Sequence, residues 1–212
     1  MSAPYTLHGI WLSGPTYKVG LMLSMAGQKF DYEMVNLREG AGQKPDYKAK
    51  SRWGQVPCLT INASGKHLTQ SAAILGYLAL TTGKLAGAND DDKQQIREWL
   101  LWSADRLAPP IYRSRANALG FRKFDPATVE MYAADGKVAL KALDDHLAAQ
   151  SWVVGNTASI ADIDAYGVVA YATDGGFALG DYGHIQAWMK RFEALPGYGK
   201  ADALLPKESH KA

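Results

Sequence analysis

Length, composition and charge limit the classes to which this chain can belong. Its 212 residues suffice for one large domain or two small ones, and a hydrophobic fraction of 47% with 21% charged residues is ordinary for a soluble globular protein. A net charge of +2 is too small to indicate binding to nucleic acid or to an anionic membrane.

The N-terminal part of the chain predicts alternating strands and helices. Residues 5–9 alternate in hydropathy and indicate a first strand, and apolar residues at helical spacing predict a helix over residues 16–26. Residues 31–37 alternate again and predict a second strand. Residues 38–53 are polar and contain glycine and lysine, so we expect an irregular segment with one short helix.

The next stretch predicts a strand, a turn, a second strand and a helix, in the segments 56–61, 62–65, 66–69 and 70–78. Pro57 lies at a strand start, one of the few strand positions that tolerate a residue without an N–H donor. Ser71 lies at a helix start, where free N–H groups and the positive end of the helix dipole attract a carboxylate. The order of these elements resembles a thioredoxin fold.

The C-terminal part shows helical periodicity and no strand pattern. We therefore predict a thioredoxin-like α/β domain over residues 1–80, a polar linker over 81–92 and an all-helical domain over 93–212. Pro109-Pro110 should bend or interrupt one helix, and Ser159 with Asp162 should form a capping box that opens another. Residues beyond Leu205 are charged, and we expect them to be frayed.

Cysteine usage and the apolar runs indicate a cytoplasmic protein. The single cysteine, Cys58, excludes an intramolecular disulfide and suits a reducing compartment. The first residues lack a basic segment followed by an apolar run, so we expect no signal peptide. No apolar stretch approaches the roughly 18 residues of a membrane-spanning helix, so we expect no membrane association. The five histidines show no metal-ligand spacing, so we expect no metal.

Three separated motifs resemble those of the glutathione transferases. They are Gln55-Val56-Pro57 before a strand, Gln70-Ser71 before a helix, and the stretch 152–163. The resemblance spans nearly the whole chain and implies a thioredoxin-like N-terminal domain followed by an all-helical domain. It also implies glutathione as the cosubstrate.

The resemblance assigns roles to the first two motifs. Pro57 should follow a cis peptide bond, and Val56 should offer its backbone to the cysteinyl part of glutathione, with Gln55 beside it. Ser71, together with Gln70, should bind the γ-glutamyl carboxylate.

A glutathione enzyme must stabilise a thiolate, because a free thiol with a pKa of about 8.5 is mostly protonated at neutral pH. The loop 10–19 is the only stretch that would enter a helix beside Pro57 in a thioredoxin-like layout. The resemblance places Ser13 at the family's catalytic position, so we predict that Ser13 donates a hydrogen bond to the sulfur. Thr16 is the next candidate, and backbone amides are a third. The sequence departs from the family at Ser51-Arg52, where Asn-Pro often stands, and the loop lacks a cysteine for thiol exchange.

These features predict a glutathione transferase that conjugates the thiolate to an apolar electrophile, as in detoxification. Trp11, Tyr112 and Phe177 are candidates for the lining of the second-substrate pocket. A glutathione-dependent isomerase or reductase and a non-catalytic binding module of the same fold are the alternatives. The resemblance further implies a homodimer.

Overall fold

The computed structural model describes residues 3–211. Within that range, the strands β1 to β4 span Tyr5–Gly9, Phe30–Met34, Cys58–Ile61 and Lys66–Thr69. The helices α1 to α9 span Gly14–Met25, Pro45–Lys50, Ser71–Thr82, Asp90–Trp102, Ala108–Ala118, Pro126–Ala149, Ile160–Val169, Gly183–Glu193 and Ala201–Leu204. None of these described helices is both long enough and apolar enough to span a membrane.

The chain divides into two compact units. Among the described residues, the first combines residues 3–84 with residues 195–211, and the second is Leu85–Ala194. The first unit holds all the described strands, and the second consists of helices and turns.

The strands of the first unit form one sheet in the order β2-β1-β3-β4. β1 runs parallel to β2 and antiparallel to β3, and β3 pairs antiparallel with β4. Parallel pairing requires a crossover connection, which α1 supplies between β1 and β2. The predicted fold class, a thioredoxin-like part followed by an all-helical part, is confirmed.

Apolar side chains fill the space between the sheet and the helices α1 and α3. Leu7 and Leu59 face each other on neighbouring strands and are fully buried. They pack with buried residues of the two helices, which are Val19, Leu21, Met22, Leu23, Ile74, Leu75 and Leu78. Helix α2 lies on the opposite face of the sheet, where its residue Tyr47 packs in a cluster with Val35 and Cys58.

Element boundaries differ from the sequence prediction where local chemistry interrupts a pattern. The strand predicted over residues 56–61 begins only at Cys58, because Pro57 lacks the N–H that a ladder needs. The strand predicted over 31–37 ends at Met34. Residues 38–53 contain one α-helix, α2, as predicted.

The C-terminal segment pairs with the edge of the sheet. The N–H of Tyr32 in β2 donates to the carbonyl of His210 at 3.0 Å, and the N–H of His210 donates back at 2.9 Å. The N–H of Met34 donates to Ser209 Oγ at 2.9 Å. The prediction that residues beyond Leu205 are frayed is therefore wrong. Backbone groups make this pairing, and charged composition does not exclude it, because β2 is an edge strand with unpaired N–H and C=O groups.

In the second unit, a π-helical turn over Ser103–Leu107 separates α4 from α5. Pro109 and Pro110 occupy the first turn of α5. Neither proline can donate the backbone bond that a continuous α-helix would need, so the helix is interrupted within one turn, as the sequence predicts.

The predicted capping box at the start of α7 is confirmed. The side chain of Ser159 accepts from the N–H of Ala161 at 3.2 Å, and Asp162 accepts from the Ser159 N–H at 2.9 Å. The other oxygen of Asp162 accepts from the Val153 N–H and from Trp188 Nε1, both at 2.9 Å. Asp162 therefore ties the start of α7 to α8 within the second unit.

Candidate functional site

One end of the sheet collects the segments that the sequence singled out. The strand register pairs His8 with Cys58 and Cys58 with Thr69, so the end of β1, the start of β3 and the end of β4 lie side by side. The segments attached to these strand ends are the loop before Ser13, the dipeptide Val56-Pro57 and the dipeptide Gln70-Ser71.

The peptide bond between Val56 and Pro57 is cis, as the resemblance implies. Val56 is half-buried, and within residues 3–211 its N–H makes no hydrogen bond. The preceding carbonyl, that of Gln55, accepts from the Tyr47 hydroxyl at 2.9 Å and from the Ser51 hydroxyl at 2.8 Å. The segment thus combines one fixed carbonyl with one amide that is free to bind a ligand.

Helix α3 begins without a side-chain cap. Its N-cap residue is Gln70, whose side chain accepts no bond from the first turn, whereas caps are present at Ser13, Asn89, Asp125 and Ser159 on other helices. The N–H groups of the first turn of α3 are therefore left to an external acceptor, and the helix dipole favours an anion there.

Two polar side chains, those of Gln70 and Ser71, lie at this helix start. Gln70 has a φ of +68°, a conformation in which residues other than glycine are uncommon. Its amide nitrogen lies 3.4 Å from the amide oxygen of Gln55, which joins two of the predicted residues. Ser71 is half-buried, and within residues 3–211 its hydroxyl makes no hydrogen bond. An anionic group at α3 would meet this hydroxyl together with the free N–H groups.

Ser13 is the N-cap of α1. Its Oγ accepts from the N–H of Thr16 at 3.1 Å, and it is half-buried. A hydroxyl can accept through its oxygen and still donate its proton. Capping α1 is therefore compatible with donation from Ser13 to a sulfur atom.

Thr16 lies inside the first unit. Its side chain is fully buried against Gly9, where a Cβ atom would come within 2.1 Å of the Thr16 methyl carbon. Its hydroxyl has no hydrogen-bond partner among the described residues. Of the two hydroxyl candidates, Ser13 is the more accessible.

The three residues predicted for the second-substrate pocket lie in different units. Trp11 is half-buried in the first unit, with the ammonium of Lys207 5.1 Å from its ring centre. In the second unit, the Tyr112 hydroxyl donates to the Gly167 carbonyl at 2.8 Å, and burial raises its pKa well above the usual value. Phe177 is buried and covers Gly136 so closely that a Cβ there would lie 2.3 Å from the ring.

Sequence reasoning gave no role to His8, whose side chain belongs to a series of polar contacts that crosses the sheet. Its Nδ1 lies 2.6 Å from Glu33 Oε2 and its Nε2 lies 2.8 Å from Thr60 Oγ1. Thr60 Oγ1 also lies 2.9 Å from His67 Nδ1, and Lys50 Nζ lies 3.6 Å from the same Glu33 oxygen. Burial lowers the pKa of His8 to about 4, against the opposing attraction of Glu33. The imidazole is therefore neutral at neutral pH.

Sequence reasoning also missed Tyr47, and it noted Ser51 only as a departure from the family pattern. The available signal was their spacing, because residues four apart on a helix share a face. The position of Gln55, which both hydroxyls contact, follows from an irregular loop that has no periodic pattern.

The fold defines a thioredoxin-like protein with an added helical unit, and comparison with family models identifies it further. The model described as "Glutathione S-transferase, N-terminal domain" matches residues 3–80, and "Glutathione S-transferase, C-terminal domain" matches residues 126–196. The chain belongs to the glutathione S-transferase family.

The proteins that are similar to this chain are named for different activities. A glutathione S-transferase of Pseudomonas fluorescens, of known crystal structure, is 29% identical with a TM-score of 0.88, covering 94% of this chain and 99% of that chain. A disulfide-bond oxidoreductase of Escherichia coli is 25% identical over 87% of this chain and 88% of its own length. A maleylacetoacetate isomerase of Rhizobium meliloti is 29% identical over 77% and 79%. Family membership alone therefore does not fix the reaction.

Proposed function

We propose that this protein is a glutathione transferase that activates the glutathione thiol and conjugates it to an apolar electrophile. The observation that carries the proposal is the uncapped start of α3, where the Ser71 hydroxyl is free beside the Val56-Pro57 segment. Such a helix start supplies N–H donors, a dipole and a hydroxyl to one carboxylate.

The free groups of the site match the parts of glutathione in order. The γ-glutamyl carboxylate would bind the N-terminus of α3 and Ser71, with the amides of Gln55 and Gln70 beside it. The cysteinyl backbone would pair with the free Val56 N–H. The strand register supports this alignment, because β3 and β4 meet at the same sheet end.

Ser13 would donate its proton to the sulfur while its oxygen caps α1. Lowering the thiol pKa by about two units, from about 8.5, requires about 2.7 kcal/mol. A hydrogen bond to a charged group contributes about 1.5–3 kcal/mol, and a helix N-terminus adds about 0.3–1 kcal/mol. Ser13 at the start of α1 can therefore supply this shift, and its half-exposed position favours it over the buried Thr16.

Conjugation or isomerisation fits the site better than reduction through a mixed disulfide with the protein. The only cysteine, Cys58, is fully buried, and burial raises the pKa of its thiol to about 11. A thiol in that state is a poor nucleophile. An isomerase is the second candidate, because it needs the same thiolate and no protein thiol.

A homodimer in the cytoplasm completes the proposal. Within residues 3–211, five large apolar side chains of the second unit are exposed, among them Leu101 in α4 at 73%, Val138 in α6 at 71% and Met131 in α6 at 49%. A contiguous apolar patch is typical of a surface that a partner covers, and the homodimer proposal requires that these side chains form one. A second copy would bury them by two-fold pairing.

Calorimetric titration with glutathione tests the proposal. The wild type should bind, and Ser71→Ala should weaken binding by about 1.5–3 kcal/mol, the range for a hydrogen bond to a charged group. Ser64→Ala, in the turn between β3 and β4, is the matched control and should leave the affinity unchanged. A wild type that fails to bind glutathione contradicts the function, and unchanged affinity in Ser71→Ala contradicts the assignment of the carboxylate site.

A further inference from the structure

Two buried hydroxyls from α2 and its C-cap converge on one carbonyl oxygen beside the candidate site. Tyr47 Oη donates to the Gln55 carbonyl at 2.9 Å, and Ser51 Oγ donates to the same oxygen at 2.8 Å. Tyr47 is 8% exposed and Ser51 is fully buried, so neither bond is readily exchanged for water. Both lone pairs of this carbonyl are therefore engaged.

The Gln55 carbonyl and the Val56 N–H belong to the same peptide unit. A trans peptide unit is planar, and its carbonyl and N–H point in opposite directions. Two donors that fix the Gln55 oxygen therefore also fix the direction of the Val56 N–H, which makes no hydrogen bond within residues 3–211. The Tyr47 and Ser51 hydroxyls thus hold a free donor in one orientation.

The chain around Gln55 has few other means of fixing this peptide. Residues 51–57 lie outside regular secondary structure, between α2 and β3. Gly54 has a φ of +64° and touches Gly42 so closely that a Cβ on either residue would lie 2.3 Å from the other's carbonyl oxygen. The glycine contact sets the path of the loop, and the two hydroxyls set the orientation of the peptide that follows it.

We propose that Tyr47 and Ser51 are positioning residues that orient the Gln55–Val56 peptide so that its N–H meets the cysteinyl carbonyl of glutathione. The proposal rests on the proposed function, because it requires glutathione in this site. It explains why a tyrosine and a serine stand four residues apart on α2 and at its end, where an apolar pair would give the Gln55 carbonyl neither donor.

The test removes single hydroxyls and compares them with matched bonds elsewhere in the first unit. Tyr47→Phe and Ser51→Ala are paired with Tyr17→Phe and Ser24→Ala as controls. Tyr17 donates to the Gly199 carbonyl at 2.9 Å, and Ser24 donates to the Gly197 carbonyl at 2.6 Å. Each control loses the same kind of bond, from a side chain to a backbone carbonyl, away from the Val56 amide.

Glutathione affinity, the two Michaelis constants and the free energy of unfolding are measured for all variants. Tyr47→Phe and Ser51→Ala should each weaken glutathione binding about two- to tenfold, the range for one net hydrogen bond. They should raise the KM for glutathione while kcat and the KM for the electrophile stay within twofold. The controls should lose comparable stability and keep their affinity for glutathione.

A measurement on the wild type alone tests the proposal even if the variants fail to fold. The amide resonance of Val56 in the wild type should shift on titration with glutathione, and the shift should saturate with binding. If the wild type binds glutathione while the Val56 resonance stays in place, or while both variants bind as tightly as the controls, the positioning role is refuted and the proposed function stands. If the wild type binds no glutathione, both fail.

Discussion

Acidification from pH 7.5 to 5 should destabilise the protein through His8. The buried imidazole has its pKa lowered from 6.5 to about 4, and 3% of the residue is exposed. Because the folded pKa lies below the unfolded value, the unfolded chain binds more protons in this window. The stabilising contribution is complete above pH 6.5 and is lost as the pH falls towards 4.

The magnitude follows from the difference between 6.5 and about 4. At about 1.36 kcal/mol per pH unit, the whole window corresponds to about 3 kcal/mol, of which about 2 kcal/mol is lost by pH 5. The groups around the imidazole act in both directions. Glu33 favours the charged ring, whereas Lys50, His67 and burial favour the neutral one.

Urea unfolding at pH 7.5, 6 and 5 measures this contribution. His8→Gln keeps a polar side chain at the site and removes the titration. Between pH 7.5 and pH 5, the free energy of unfolding of this variant should therefore fall by about 2 kcal/mol less than that of the wild type. His184→Gln, at an exposed position in the second unit, is the control and should follow the wild type. If the free energy of unfolding depends on pH in the same way for the wild type and for His8→Gln, the assignment to His8 is refuted. A wild type that gains stability on acidification relative to His8→Gln would show that the contact with Glu33 outweighs burial.

Three further predictions concern the sulfur, the sheet edge and the assembly. Ser13→Ala should raise the thiol pKa of bound glutathione by about one to two units in an ultraviolet thiolate titration, because the start of α1 remains, whereas Thr16→Val, which removes a buried hydroxyl, should leave the pKa unchanged. The reverse result would exchange the two roles, and no shift in either variant would leave backbone amides as the donors. A chain ending at Pro206 should lose protection of the Tyr32 amide in hydrogen exchange at least tenfold, because His210 is its acceptor, while the Leu7 amide stays protected. Light scattering should give a particle of twice the 23.0 kDa chain mass, and Leu101→Glu with Val138→Glu should reduce it to one chain; a 23.0 kDa wild type would contradict the homodimer.

Periodic patterns in the sequence were sufficient to predict the regular elements of the fold. The alternation in residues 5–9 and the helical spacing of Val19, Met22 and Leu23 follow directly from burial on one face, and the structure has β1 and α1 there. The capping box of Ser159 and Asp162 is local, so its residue types predict it.

Contacts that depend on the backbone or on irregular loops were not predictable. The pairing of His210 with Tyr32 uses N–H and C=O groups, which every residue other than proline provides, so the charged composition after Leu205 was a misleading guide. The convergence of Tyr47 and Ser51 on Gln55 depends on the path through Gly54, and no periodic signal marks that path.

The strained conformation of Gln70 connects the fold to the proposed chemistry. A residue other than glycine at a positive φ costs of order 1–3 kcal/mol and persists where the surrounding structure enforces it. Within residues 3–211, the Gln70 side chain contacts Gln55 and provides no cap for α3. The conformation therefore adds no cap to the helix, but it leaves the first N–H groups of α3 and the Ser71 hydroxyl open to an external anion. A ligand that neutralises the helix start would recover part of this cost, which is a physical reason to place the γ-glutamyl carboxylate there.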